Sequence, residues 1–553
     1  MSSSPKKGDE LLTKVLQKQA SASAGPGPRF LGDRIAHDGN DSVSDIVSTD
    51  DEASNGPVRS PVARSAPQHL FPPVSAAATS ATPTQTPSGS TRRRGRKNSF
   101  RARPSQLDYS NLEREDNPMR GFFVLFWIFM VFYVLITIYT NWSKGAAPIR
   151  LDLIHLVSRD GISLALADLA LICSCAMVVV IMKLVVWGII PRFLALTVQH
   201  SWQTLWYFSC IGYVFYKDWP WVQSGFFVLH ATAMLMKQHS YISTNLELFD
   251  KSRHVKKLQN ERDILVGIQK RSGDHDETGD EKPAATAPNA TPDAIKARLD
   301  EIHFEIYGLY TELHKPAHDF PKNINLMNFI DYMAIPTLVY ELEYPRTSEI
   351  RFIYVFEKIC ATLGTFGLIL FIVDHYIYPV LYTMKTLSYL DTFAGLLMPF
   401  MVCYILVFFI IFECICNGFA ELTRFADRRF YDDWWNSASF DEFARRWNRP
   451  VHEFLLRHVY FESIQSFKIS KTNATYLVFF LSSCIHELVF AVVGRRLRLY
   501  LFLMQMFQLP LIWLGRQPII KQNRTLGNII FWIGMFLGPP LLAVLYAREH
   551  FLN

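Results

Sequence analysis

Residues 475–493 read TYLVFFLSSCIHELVFAVV, and His486 and Glu487 interrupt a run that is otherwise apolar. A helix of roughly 20 such residues crosses a bilayer. Two ionisable groups near its middle cost on the order of 2.5–3.5 kcal/mol each unless something compensates them. Residues of this kind mark functional sites inside membranes, and an imidazole is the side chain that moves a proton near neutral pH. The competing reading is a core histidine bonded to a neighbouring helix. The membrane setting, the adjoining carboxylate and the nearby Ser482 and Ser483 favour function. Helical spacing puts both serines beside His486 and turns Glu487 roughly 100° away. Glu487 is therefore expected to hold a helix contact or tune the local field, not to act as the base.

Composition agrees with a membrane protein. Half of the 553 residues are hydrophobic, 14% are aromatic and only 19% are charged. Residues 1–115 differ: they are polar and low in complexity, rich in Ser, Ala, Pro and Gly between 67 and 89. Such a segment buries too little apolar surface to offset chain entropy, and reads as a disordered cytosolic arm. The arm carries a basic cluster of Arg92, Arg93, Arg94, Arg96 and Lys97, followed by Arg101 and Arg103. Lying roughly twenty residues before the first span, the cluster reads as a lipid-attracted juxtamembrane segment and not as a nuclear signal. No nucleic-acid partner is expected. Ser99, three residues after Arg96, is a candidate basophilic kinase site. No cleavable signal peptide is expected, because the N-terminus lacks an apolar core. The eight cysteines lie in or beside apolar runs without zinc-ligand spacing, so buried thiols are expected and no metal.

Apolar windows predict an all-α polytopic protein with about nine spans, near 121–141, 162–187, 199–217, 221–237, 352–384, 393–418, 474–493, 497–515 and 526–547. Asp374 and His375 make the fifth a candidate for a kink, and Trp219-Pro220-Trp221 divides 199–237. Lys and Arg accumulate in the arm, in loop 238–350 and in loop 419–472. An even number of spans separates these three regions, so the positive-inside rule places all of them in the cytosol and the C-terminus in the lumen. Residues 271–296 read as a disordered cytosolic insertion between amphipathic helices at about 248–270 and 292–314. On this topology the sequons at Asn289 and Asn473 are cytosolic, and glycosylation at either would overturn it.

Two further stretches carry chemistry. Residues 430–436 read FYDDWWN. Paired tryptophans beside a tyrosine suit an aromatic membrane anchor, or alternatively an interfacial mouth for an amphipathic ligand. Arg428, Arg429, Arg445, Arg446 and Arg449 nearby suit phosphates on the cytosolic side. Residues 446–452 read RWNRPVH, where Asn448 can orient an imidazole or bind a carbonyl oxygen. An asparagine before Arg-Pro is also a common helix cap.

These three stretches, in this order, resemble the sterol and diacylglycerol O-acyltransferase branch of the membrane-bound O-acyltransferase superfamily. The resemblance extends through Met236-Lys237-Gln238-His239-Ser240-Tyr241 and Pro336-Thr337-Leu338-Val339-Tyr340, and covers residues from about 110 to 553. The flanking stretches 425–428, 455–460 and 505–511 look most like fungal enzymes that make steryl esters, while FYDDWWN and the His-Glu pair are shared with the diacylglycerol enzymes. The resemblance implies a bundle of membrane helices enclosing a reaction chamber in residues 116–553, with acyl-CoA entering from the cytosol and the lipid acceptor from the bilayer. It implies His486 as the catalytic base and Asn448 in the active site. Tyr431, Asp433, Trp434, Trp435, Asn436 and Arg446 become the expected acyl-CoA-binding residues. No cofactor is expected, since acyl-CoA is a substrate. An endoplasmic-reticulum homodimer or homotetramer is expected.

Serine acylation at Ser482 or Ser483 is the competing mechanism; a thioester is already activated, and no G-x-S-x-G elbow is present. A transporter is the main non-enzyme alternative, because intramembrane ionisable groups also line ion paths. Its hallmark would be inverted repeats, and neither the apolar region around His486-Glu487 nor the DWWN region has a second copy.

Overall fold

The computed structural model describes residues 100–105, 107, 108, 120–145, 158–274, 291–316 and 318–552. Most of the arm predicted to be disordered, and residues 275–290 of the insertion, lie outside them. The described chain is helical, with three isolated β-bridges and no sheet among the described residues. It forms a compact unit that runs on from Phe100, so packed structure begins well before the expected boundary at 116.

Helix α1 (Arg120–Ser143) precedes α2 (Gly161–Ser174) and α3 (Met177–Val186). Helix α4 (Arg192–Lys217) leads to α5 (Trp221–Asp274), a single helix of 54 residues. At 1.5 Å per residue α5 is on the order of 80 Å long, enough to cross a membrane and continue beyond it. There it packs against α6 (Pro292–Leu313), whose start is set by Thr291 capping the Ala294 amide and by Pro292 in the first turn. Both predicted amphipathic helices are present, although α5 runs four residues into the expected insertion and α6 begins inside it.

A short helix α7 (Leu326–Ala334) follows, held to α5 by one cation. Lys237 Nζ donates to the carbonyls of Tyr332, Met333 and Ile335, at 2.9, 2.9 and 2.7 Å. Those carbonyls close the C-terminal end of α7, where a positive charge is favoured. The MKQHSY and PTLVY stretches thus meet in one buried knot: Tyr241 and Tyr340 lie 4.8 Å ring to ring, and Ser240 Oγ accepts the Tyr340 amide at 2.8 Å.

The second half is α8 (Phe352–Ile372), α9 (Tyr378–Thr383), α10 (Tyr389–Phe408) and α11 (Cys416–Leu422), joined within continuous helical runs by π-turns at Val373–Ile377 and Phe409–Ile415. Next come α12 (Phe440–Trp447), α13 (Arg449–Leu455), a π-turn at Leu456–Phe461 and α14 (Glu462–Ser466). The chain closes with α15 (Lys471–Gly494), α16 (Tyr500–Met506), α17 (Gln508–Gly515), α18 (Pro518–Gln522) and α19 (Arg524–Leu552).

Among the described residues, six helical runs are long and apolar enough to span a membrane: 123–143, 161–186, 352–383, 389–422, 471–494 and 524–548. Nine were expected, and the other three differ for identifiable reasons. Helix α4 has the length but hides Gln199 and Gln203 in the core, which lowers its hydropathy. The 221–237 window is the first part of the long mixed helix α5. The 497–515 window is broken at Phe507 into α16 and α17.

Candidate active site

Helix α15 carries the His-Glu pair and packs against α5, α16 and the π-turn Leu456–Phe461. Its first turn is capped by Ser470, whose hydroxyl accepts the Asn473 amide at 3.2 Å. The two ionisable residues part company at once. Glu487 is 2% exposed, whereas His486 is exposed on the chain.

Glu487 is fully engaged. Its carboxylate accepts the amides of Arg498 (3.3 Å), Leu499 (2.7 Å) and Phe502 (3.1 Å), and the Tyr546 hydroxyl at 3.1 Å. It therefore caps the free amides at the start of α16 and ties α15 to α19. These donors supply the compensation that a buried carboxylate requires. The expected helix-contact role holds.

His486 Nδ1 lies 2.8 Å from the Ser482 carbonyl oxygen, one turn back, and 3.5 Å from Ser482 Oγ. A carbonyl oxygen accepts only, so Nδ1 carries the proton of this bond, and in the neutral imidazole the lone pair is then on Nε2. Ser483, by contrast, is buried and donates to the Phe479 carbonyl at 2.8 Å. Spacing placed both serines beside the imidazole; the structure keeps only Ser482 there. Ser483 is spent on its own helix.

Asn448 is the cap of α13: its Oδ1 accepts the Val451 amide at 3.2 Å, and its carbonyl accepts the His452 amide at 2.9 Å. The cap and active-site readings are compatible in part. The side-chain oxygen caps the helix, and the NH2 group of Asn448 is available as a donor to an oxygen. Helix α13 continues into the π-turn that packs on α15, which puts the Asn448 and His486 elements side by side.

The FYDDWWN loop is stitched to the α12–α13 junction. The Asp432 amide donates to the Arg446 carbonyl at 2.9 Å, and the Arg449 amide to the Phe430 carbonyl at 3.0 Å. Asp432 accepts Arg449 at 2.8 Å and also pairs with Arg429. The six expected acyl-CoA residues divide between two environments. Tyr431 and Trp434 are 2% and 3% exposed, and Trp434 sits 4.8 Å from the Trp447 ring and 5.3 Å from that of Phe408. Packed inside the protein, these two shape the loop from within. Trp435 is partly exposed, its carbonyl held by Asn528 at 2.9 Å and Trp532 at 3.1 Å. Asn436 is exposed, and Asp433 pairs with Arg446 at 3.3 Å. Arg446 also reaches Glu442 at 2.8 Å, so a phosphate binding there competes with two carboxylates.

One buried carboxylate escaped the motif reading. Glu413, fully buried in the π-turn Phe409–Ile415, accepts the Tyr431 hydroxyl at 2.6 Å and Ser105 Oγ at 2.5 Å. Its signal in the sequence is a lone Glu in the apolar run 400–415, the same anomaly that flags His486.

A family model for the membrane-bound O-acyltransferases matches residues 227–548. The chain is 36% identical over 445 residues to probable sterol O-acyltransferase 1 of Schizosaccharomyces pombe, covering 77% of this chain and 81% of that protein. It is 34% identical over 453 residues to probable sterol O-acyltransferase 2 of the same yeast, covering 79% and 88%. Diacylglycerol O-acyltransferase 1 of Dictyostelium discoideum matches at 37% over 241 residues only, 42% of this chain and 39% of that one. With a helical bundle of several apolar spans, the matches define a multi-pass membrane acyltransferase. The chain belongs to the membrane-bound O-acyltransferase family, within its sterol O-acyltransferase branch and with fungal relatives.

Proposed function

We propose that this enzyme is an acyl-CoA:sterol O-acyltransferase, which moves a long-chain acyl group from acyl-CoA to the sterol 3-hydroxyl and makes steryl esters for storage. One observation carries the mechanism: an imidazole in an apolar helix whose Nδ1–H is held by the Ser482 carbonyl, leaving Nε2 as a base. The sterol oxygen attacks the thioester carbon while Nε2 takes its proton. The tetrahedral intermediate then expels CoA thiolate, which recovers that proton to leave as CoASH. The Asn448 NH2 group donates to the thioester oxygen as negative charge develops on it. Asp433, Trp435, Asn436 and Arg446 face the acyl-CoA side, with Tyr431 and Trp434 holding the loop behind them. Acceptor and acyl chain are both lipid-soluble, and a chamber within the membrane keeps water from the thioester.

The long similarity to sterol O-acyltransferases, against the shorter diacylglycerol match, supports the choice of acceptor. The enzyme resides in the endoplasmic reticulum membrane with its N-terminus in the cytosol, and works as a homodimer or homotetramer. Microsomes from cells lacking neutral-lipid acyltransferases, expressing this chain, are given labelled oleoyl-CoA with ergosterol or with diacylglycerol. Labelled steryl ester is the expected product. Triacylglycerol in its place would keep the chemistry and move the protein to the sister branch.

A further inference from the structure

Residues 100–105, 107 and 108 precede the first membrane helix, yet they are built into the packed unit. The Arg103 amide donates to the Ala426 carbonyl at 2.9 Å, and the Arg428 amide returns a bond to the Arg103 carbonyl at 2.8 Å. The Arg101 amide donates to Asp427 at 2.9 Å. The Phe100 ring lies 5.4 Å from that of Tyr344 and 5.8 Å from that of Phe425. Two polar side chains then go fully inside: Ser105 is 1% exposed and Asp108 is 2% exposed. Asp108 pairs with Arg351 at 3.5 Å, and Arg351 with Glu421 at 3.0 Å. Ser105 Oγ and the Tyr431 hydroxyl share one oxygen of Glu413, and Asn417 donates to the other at 3.3 Å. Burying a polar group costs free energy unless it is satisfied, so a sequence that merely drapes over a surface does not place Ser and Asp there.

We propose that this strap is a positioning element of the reaction: Ser105, through Glu413, fixes Tyr431 and with it the FYDDWWN loop in the shape that takes acyl-CoA. The inference rests on the reading of that loop as the acyl-CoA side of the site. Glu413 is the hinge of the arrangement. It sits in a π-turn, a distortion that recurs at functional positions because it re-aims side chains out of regular helical register. Without the Ser105 hydroxyl the carboxylate loses one of its two short donors, and the Tyr431 hydroxyl no longer has a single fixed position. The strap acts on the loop and not on the reacting atoms, so its loss weakens acyl-CoA binding and leaves the acceptor side alone.

The full-length enzyme and three variants test this: deletion of residues 1–99, Ser105→Ala and Ser105→Thr. The deletion stops short of the strap and is expected to keep the wild-type KM for oleoyl-CoA within twofold. Ser105→Ala is expected to raise that KM fivefold or more at an unchanged sterol KM, with a Tm lowered by the donor missing from buried Glu413. Ser105→Thr, which retains the hydroxyl, is expected to restore the acyl-CoA KM. A Ser105→Ala enzyme with an acyl-CoA KM within twofold of wild type overturns the proposal, as does a parallel rise in both KM values. A second measurement needs no variant. Coupling is reciprocal, so saturating oleoyl-CoA is expected to slow tryptic cleavage after Arg101 in the wild-type protein severalfold, with sterol having no effect. Cleavage indifferent to acyl-CoA overturns the proposal too. Acyl-CoA affinity is read whichever acceptor is esterified, so failure of the strap and failure of the sterol assignment give different results.

Discussion

His486 and Glu487 are neighbours in sequence with opposite tasks. The imidazole bonds through Nδ1 to the carbonyl of its own helix, and the carboxylate collects donors from two other helices. That division is legible from sequence in outline, because 100° of helical rotation cannot point both side chains into one chamber. The partners of Glu487 are not legible, since the start of α16 is a feature of chain path and not of pattern. Asn448 reads as cap or as active-site group, and its cap bond divides the two roles between its two atoms. Asn448→Asp retains the capping oxygen and loses the NH2 donor. It is expected to leave Tm near wild type and to lower kcat by roughly 10²–10³, the loss typical of one oxyanion donor. Asn448→Ala loses both, adding about 1 kcal/mol of instability from the missing cap. Steady-state kinetics with thermal melts in detergent separate these effects; a fully active Asn448→Asp enzyme would leave Asn448 a cap alone.

Among the helices, continuous apolar runs announce themselves in sequence and runs that hide polar groups do not. Helix α4 buries Gln199 and Gln203, so its composition looks too polar for its position. The FYDDWWN loop depends on a close approach that the sequence shows only as glycine. A β-carbon on Gly527 of α19 would meet the Ala438 carbonyl oxygen at 2.5 Å, and one on Gly534 would meet the Phe440 ring at 2.5 Å. Gly527→Ala is therefore expected to cost about 1–3 kcal/mol by overpacking and to shift the loop, visible as a lower Tm with reduced activity. An unchanged melt would refute that contact. Helix α13 gives a pH effect. Burial, followed by the Arg449 and Arg445 charges, pushes the His452 imidazole down from 6.5 to about 4. Protonation then favours the unfolded chain, so this contribution is complete above about pH 6.5 and declines towards pH 4. His452→Gln is expected to flatten the acid limb of Tm against pH in that window, and an unaltered limb would count against the shift.

Over the molecule as a whole, the family and the membrane character are readable in separated motifs. The start of the packed unit is not. Low-complexity sequence gives no hint that Phe100, Ser105 and Asp108 pack against Tyr344, Glu413 and Arg351, the middle pair lying 308 residues apart. Pairings that distant leave no periodicity to read. Acyl transfer to a sterol by His486 is tested by comparing wild-type and His486→Ala enzymes, purified in detergent with matched assembly size and Tm, and given labelled oleoyl-CoA and ergosterol. Steryl ester and free CoA are expected from wild type, with at least a hundredfold less of both from His486→Ala, in line with loss of a general base. A folded His486→Ala enzyme that still makes steryl ester at a near-normal rate would remove the imidazole from the chemistry.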